Sequence, residues 1–340
     1  MSGGISQLVA QGIQDTHLTG NPQVSFFRSA FKRYTHFADV RNLQVIRGNP
    51  AANGTSSVRF ERRGDLLTGV YLTKKSAGVV QTDVADHINK IELYIGGQLI
   101  DTQDNAYLTS VWRKVEAPDT NRAVATTDFL PLHFFFCDNN TLALPLVALQ
   151  YHDVEIKIYW SSTAVGATDS FECWSNFVYL DTSEREWFSQ TEHNLLIKQV
   201  QTASSSNESV QELVFNHPVA YIAVDGENPL DGGVEESTKM LIKINGVDLG
   251  EPMEITPHFN RVPMYYNTKT ALSQTSPTFL ISFANDLSKH QPTGSLNFSR
   301  LDSARLISQD SSRAFNKTIY AINFNVLKIK EGMGGLMFSN

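Results

Sequence analysis

The stretch KIELYIGGQLI, at positions 90–100, predicts a β-hairpin on its own. Ile91, Leu93 and Ile95 alternate with more polar residues, as in a strand that buries one face. Two consecutive glycines then supply the positive-φ positions that a tight hairpin turn requires. A second stretch of the same design, KMLIKINGVDL at 239–249, turns at Asn-Gly. The two hairpins therefore indicate antiparallel sheet in each half of the chain.

Strand patterns also fill most of the remaining chain. VEIKIYW at 154–160 alternates throughout, and IYAINFNVLKIK at 319–330 alternates as far as Val326. The period then slips, because Leu327 and Ile329 have the other parity, and such a slip predicts a bulge or a change of face. Clusters rich in Asn, Gly, Pro and Ser separate these runs, as turns do. Many short strands with turns between them predict an all-β fold of sandwiches or barrels.

Helical spacing is confined to short stretches. In YLTSVWRKV at 107–115, apolar residues recur three, four and seven positions after Leu108, and Pro118 follows as a stop. SEREWF at 183–188 contains Ser183 and Glu186, the pair expected of a capping box. We therefore expect few helices, placed between strands.

The two halves resemble each other at a nearly constant spacing. Ile95 and Ile244, which precede the hairpin turns, lie 149 residues apart, and Ser-Val pairs at 57 and 209 lie 152 apart. A Leu-x-aromatic pattern at Leu149 recurs 147 residues later at Leu296. Three matches in one order favour two similar β-domains in tandem. We expect the boundary near FSQTEHNLLIKQVQ, at 188–201, with Leu195–Val200 corresponding to Leu43–Ile46.

Composition and charge narrow the class of protein. Of the 340 residues, 41% are hydrophobic, enough for a large core, and the net charge of −7 argues against a chain that wraps DNA. Two cysteines cannot form a disulfide framework, and the N-terminus lacks a signal-peptide pattern. These features predict a soluble protein made in a reducing compartment.

No catalytic or metal-binding constellation stands out. His152 precedes Asp153 and Glu155, but on a strand its side chain points away from both, which favours a strand-rim position over a metal site. The C-terminal GMGG has glycines typical of a phosphate loop but no following helix, so it predicts a turn or tail. Cys137 and Cys173 lack a basic neighbour and are expected to be small buried residues. We expect no enzyme activity, no cofactor and no metal.

A basic and aromatic segment, LTGNPQVSFFRSAFKRYTHF at 18–37, allows two interpretations. Cations beside rings are typical of a surface that binds single-stranded nucleic acid. In a strand, Arg28 and Lys32 would share one face, while Phe27, Phe31 and Arg33 would lie on the other. The acidic net charge and the β-rich remainder favour an irregular entry strand, so no specific nucleic acid is expected as a partner.

The same segment and several later motifs resemble the major capsid proteins of nucleocytoplasmic large DNA viruses, of the algal-virus and iridovirus type. GGISQLVAQGIQD at 3–15 and LTGNPQ at 18–23 match the family's opening, and Gly64-Asp65-Leu66 matches its next signature. Three later stretches resemble the family's motifs for the second domain and the C-terminus: FNHPV at 215–219, PTGSLNFSRLDSA at 292–304 and the ending YAINFNVLKIKEGMGGLMFSN. The resemblance thus spans both halves and both termini.

This resemblance implies a double jelly roll, that is, two tandem eight-stranded antiparallel sandwiches with few short helices. It predicts an N-terminal arm at 1–22, a first jelly roll at 23–190 and a second at 191–340. The implied function is that of a structural capsid protein, which homotrimerises into pseudo-hexameric capsomers and tiles the icosahedral shell of a large DNA virus. Arg28, Lys32 and Arg33 are then candidate capsomer-contact residues. The protein would be made and assembled in the host cytoplasm and reside in the virion.

The implied partners are further copies of the chain, minor capsid and penton proteins, and an internal membrane at the inner face of the shell. Three alternatives stay open. The short chain is also compatible with a minor capsid paralogue. A carbohydrate-binding jelly-roll module would be monomeric, with aromatic and carboxylate residues around one end of a sandwich. A cupin-like enzyme would need a His/Glu metal cluster on two adjacent strands, which the sequence does not show.

Overall fold

A computed structural model describes residues 10, 12–123, 128–231, 238–269 and 277–339 of the chain. It separates the chain into two units, residues 1–36 and residues 37–340. Most of the first half of the predicted N-terminal arm therefore lies outside the described residues.

The first unit contains a short helix followed by an irregular segment. Helix α1 spans Ile13–Thr19, and the Asp15 carboxylate accepts a hydrogen bond from the Gly12 amide at 2.9 Å. Residues 20–36 form no strand, so the entry strand predicted at 18–37 is wrong. The rings of Phe26 and Phe27 are 92% and 98% exposed. A strand needs a neighbour to receive its backbone hydrogen bonds, and residues 10 and 12–36 supply none.

The second unit begins with two antiparallel sheets packed face to face. Their orders are β1-β11-β4-β5, with β8 and β9 also paired to β4, and β2-β3-β10-β6-β7. The strands are β1 Phe37–Gln44, β2 Ile46–Arg47, β3 Thr55–Arg59, β4 Leu66–Ser76, β5 Val79–Val80, β6 Ile88–Ile95, β7 Gln98–Asp104, β8 Leu130–Pro131, β9 Leu144–Pro145, β10 Val154–Trp160 and β11 Asp169–Leu180.

The same arrangement is repeated in the second half. The sheet orders are β12-β21-β14-β18, with β19 and β22 attached, and β13-β20-β15-β16, with β17 attached. The strands are β12 His193–Ala203, β13 Val210–Glu212, β14 Pro218–Val224, β15 Lys239–Ile244, β16 Val247–Asp248, β17 Met253–Glu254, β18 Leu280–Ser282, β19 Leu296–Asn297, β20 Ala304–Ser308, β21 Ile319–Lys330 and β22 Met333–Leu336. The equivalent orders confirm the predicted double jelly roll.

Helices connect the strands, as predicted. They are α2 Trp112–Val115, α3 Thr120–Ala123, α4 Phe135–Asp138, α5 Thr182–Gln190, α6 Ile255–His258 and α7 Arg261–Asn267, with a π-helical turn at Tyr107–Val111 before α2. Helix α5 joins the two jelly rolls. Its N-cap is Asp181, whose side chain accepts from the Thr182 amide at 2.8 Å, so the predicted capping box at Ser183 is wrong. Asp181 is the extended residue after β11, whereas Ser183 already lies inside the first turn.

The first hairpin and strand β10 have the predicted alternation. Ile91, Leu93 and Ile95 are fully buried, and along β10 every second residue is buried. Gly96 and Gly97 have φ values of +58° and +83°, the conformation that favours glycine. The apolar face of each strand therefore points into the sandwich, where burying one large aliphatic side chain stabilises the fold by roughly 1.5–3 kcal/mol.

Strand β21 explains the slip of period after Val326. The strand pairs with β12 without a register shift, so it contains no bulge against that neighbour. Tyr320, Ile322 and Phe324, on one face of the strand, pack with Tyr107 and Trp112, whereas Leu327 and Ile329, on the other face, join the core of the first jelly roll. The slip therefore marks a change of packing partner along one continuous strand.

Candidate assembly surfaces

The two jelly rolls are joined along a packed surface that we call the seam. Apolar side chains of residues 107–117, a stretch that includes α2, pack against the outer face of the sheet formed by β12, β21 and β14. The seam residues include Tyr107, Val111, Trp112, Val115 and Ala117 on one side, and Tyr221, Ala223, Tyr320, Ile322 and Phe324 on the other. Because four of these rings are at most 3% exposed, we expect the two jelly rolls to behave as one rigid body.

A buried ion pair lies within the seam. Lys198 Nζ of β12 is 2.6 Å from Glu116 Oε2, while the hydroxyls of Tyr221 and Tyr107 donate to Glu116 Oε1 at 2.7 and 3.1 Å. Burial by itself would raise the pKa of Glu116. The Lys198 charge and the three hydrogen bonds outweigh burial, so that pKa lies below its ordinary value. The carboxylate thus stays charged and ties the first jelly roll to β12.

Asp101, in the middle of the edge strand β7, forms a second polar link across the seam. It accepts hydrogen bonds from the Val200 amide and from Gln103 Nε2, both at 2.8 Å. Burial nevertheless raises the pKa of Asp101 to about 7. A cavity of about 190 Å³ lies between Asp101, Trp112 and His290. This volume is below the roughly 300–1,000 Å³ of small-molecule sites, which favours a structural role for the seam.

The C-terminal strand β22 attaches the second jelly roll to one end of the first. His152 Nδ1 lies 2.8 Å from the Gly334 carbonyl oxygen, and the Leu336 amide donates to Gln98 Oε1 at 3.2 Å. A Cβ atom on Gly334 would come within 2.8 Å of Leu149. The GMGG motif therefore consists of the turn residue Gly332 and the first three residues of β22. His152 contacts β22 at the rim of the first sandwich.

The described residues offer little for catalysis. They contain no group of three or more His, Cys, Asp and Glu side chains that could hold a metal ion. Cys173 is buried and Cys137 is half-buried; both are free, and burial raises the pKa of each thiol, to about 12 for Cys173. No helix in the described part of the chain is long and apolar enough to cross a membrane.

Arg28, Lys32 and Arg33, the candidate contact residues, lie in the first unit. All three are exposed, on the irregular segment between α1 and β1. They do not converge on a shared groove or cavity in the described structure, so their role in contacts stays a prediction. The predicted boundaries of the arm and of the two jelly rolls likewise stay predictions.

Sequence reasoning missed Glu116 and Lys198. Lys198 follows three apolar residues in NLLIKQV, whereas Glu116 stands close to two cations in VWRKVEA, so the local sequence gave no signal that links them. The two are 82 positions apart, so only the tertiary fold shows that they neutralise each other.

Two family models match the chain. The model described as "Major capsid protein N-terminus" matches residues 25–181, and that described as "Large eukaryotic DNA virus major capsid protein" matches residues 223–335. The major capsid protein of Pyramimonas orientalis virus is 34% identical, and that of Paramecium bursaria Chlorella virus 1 is 31% identical. Each alignment covers 100% of both proteins.

Solved structures agree with this result. The crystal structure of PBCV-1 VP54, fitted into a reconstruction of the virophage Sputnik, has a TM-score of 0.77 and 26% identity. The comparison covers 93% of this chain and 100% of that chain. The Faustovirus major capsid protein has a TM-score of 0.62 at 11% identity, covers 94% of each chain, and shows likeness of fold alone.

Proposed function

Because this chain belongs to the family of large eukaryotic DNA virus major capsid proteins, we propose that it forms homotrimers of pseudo-hexameric outline that tile an icosahedral shell. Membership of this family makes it a structural protein of the virion and not an enzyme. We also propose that the trimers form and assemble into shells in the host cytoplasm.

The observation that carries the proposal is the internal duplication. Each chain presents two jelly rolls with the same strand order, packed together along the seam. Three such chains around a threefold axis place six similar units in a ring, which is the outline needed to tile a shell of hexagonal cells. A duplicated rigid chain is thus suited to this geometry.

The mass of the purified protein in solution tests the trimer. Light scattering over a range of concentrations should give three times the chain mass of 37.9 kDa. Dilution of the same sample separates trimer from monomer, so the sample serves as its own control. A mass of one chain at every concentration would refute the proposal and favour a monomeric module.

We also propose that Arg28, Lys32 and Arg33 contact neighbouring capsomers, minor or penton proteins, or an internal membrane. The support is their exposure beside the exposed rings of Phe26 and Phe27. Charge reversal of all three to Glu should lower the yield of complete shells seen by electron microscopy. The matched control, R28K/K32R/R33K, keeps the charge and should assemble normally. Normal shells from the Glu variant, with only DNA retention altered, would assign the segment to the genome instead.

Removal of residues 2–22 tests the arm separately. We expect trimers to persist, because no residue of the second unit is removed, while shells become fewer or less stable. Shells of normal size and stability would show that the arm has no such role.

A further inference from the structure

Among the described residues, the internal duplication leaves one sheet face covered, whereas its counterpart is exposed along β1. In the second jelly roll, the outer face of β12, β21 and β14 is buried by the seam. The counterpart in the first jelly roll is the outer face of β1, β11 and β4, which occupies the same places in the same strand order. On this face Leu43 of β1 is 46% exposed, and Val45, which directly follows β1, is 65% exposed.

The covering segment also has an uncovered counterpart. In the first jelly roll, the segment 107–115 follows β7 and precedes β8, and its Tyr107, Val111 and Trp112 are 0–3% exposed in the seam. In the second jelly roll, helix α7 follows β17 and precedes β18, the equivalent place in the chain. The Met264 side chain of α7 is buried, with 1% of its surface exposed, whereas Tyr265 and Tyr266 are 67% and 74% exposed.

We propose that α7 of one copy packs on the outer face of β1, β11 and β4 of the next copy, and so repeats the seam between chains. This inference rests on the proposed self-assembly and identifies the two surfaces that perform it. The exposed face and the exposed covering helix that the described residues provide are different surfaces. A head-to-tail contact of this kind closes into a ring when the rotation is right, and then neither surface stays open.

The chemistry of the open face fits aromatic anchors. Glu172 on β11 is already bonded to Lys75 Nζ at 2.7 Å and to Trp174 Nε1 at 3.1 Å, so its charge is compensated within the face. Trp174 pairs with Leu43 across β1 and β11, which places an indole beside an exposed aliphatic side chain. Tyrosine presents a large apolar ring and a hydroxyl, and it is enriched among the residues that contribute most to protein interfaces.

Self-association of point variants gives the first test. Y265A/Y266A should raise the concentration at which trimers dissociate by at least about tenfold, or about 1.4 kcal/mol, since tyrosine is enriched among the residues that contribute most to interfaces. Y151A is the matched control, because Tyr151 is 75% exposed but lies beside β22 at Gly332. It should dissociate at the wild-type concentration.

Disulfide trapping gives the second test and reports the contact directly. L43C and Y266C are made in separate chains and mixed under mild oxidation, so a disulfide between them forms only between copies. The native thiols contribute little background, because Cys173 is buried and burial raises the pKa of both Cys137 and Cys173. Replacing Y266C by V214C, at an 80% exposed position between β13 and β14, should abolish the mixed dimer.

The outcomes separate this inference from the proposed function. A wild-type trimer that weakens with Y265A/Y266A and yields the L43C–Y266C disulfide supports both. A wild-type trimer that is unaffected by Y265A/Y266A and yields no such disulfide overturns the assigned surfaces and leaves the capsomer proposal standing. A wild-type chain that is monomeric at every concentration overturns both.

Discussion

The Glu116–Lys198 pair permits a quantitative test of how the two jelly rolls hold together. Lys198→Met keeps most of the side-chain volume but removes the cation beside a carboxylate whose side chain is only 6% exposed. Removing one partner of a buried ion pair costs roughly 3–5 kcal/mol, because the other charge is left uncompensated. Two tyrosine hydroxyls still donate to Glu116, so we expect the lower end, about 3 kcal/mol.

A double-mutant cycle separates the pair from its surroundings. Glu116→Gln alone should cost less, about 1–2 kcal/mol, because Lys198 is 18% exposed and reaches water more easily. The double variant has neither charge, so it should be more stable than Lys198→Met alone by at least about 1 kcal/mol.

Urea unfolding followed by tryptophan fluorescence measures all four proteins. One protein concentration is used throughout, because association itself adds to apparent stability. If the two single-variant costs add to the double-variant cost within about 0.5 kcal/mol, the residues do not interact and the seam is not held by this pair.

Two further perturbations test the seam and the C-terminal strand. Gly334→Ala should lower the thermal midpoint and speed proteolysis of the C-terminus, because the new Cβ atom would come within 2.8 Å of Leu149. Gly69→Ala is the control, because a Cβ atom there would lie 3.4 Å from its nearest neighbour. Equal midpoints would contradict this crowding. The pKa of Asp101 is raised to about 7 from an ordinary 3.8, so we expect the contribution of this residue to stability to fall as pH rises from about 4 to about 7. Asp101→Asn should flatten this dependence in pH-resolved melting; an unchanged slope would assign it to other groups.

The strands could be predicted because alternation is a local property. In β10 each buried residue is flanked by half-buried ones, as the sequence pattern required. The hairpin at Gly96-Gly97 followed from the same local rule, since few residues adopt positive φ at two consecutive positions. Tandem duplication was also visible, because two copies of one fold keep similar spacings.

The failures have physical reasons of another kind. The basic segment before Phe37 has cations and rings in a strand-like order, but a strand forms only where a neighbour accepts its hydrogen bonds. In β21 the sequence showed a slip of period, yet it did not show that the first jelly roll supplies the new partner for Leu327 and Ile329.

By itself, the sequence determined an all-β chain, its two hairpins, its duplication and its family, because each depends on residues near one another or on a repeated order. Only the tertiary structure decided which faces are covered. The seam, the neutralisation of Glu116 by Lys198 and the open counterpart beside Leu43 all depend on contacts between distant segments. The local sequence pattern predicts that a face is apolar, whereas only the tertiary structure shows what packs against that face.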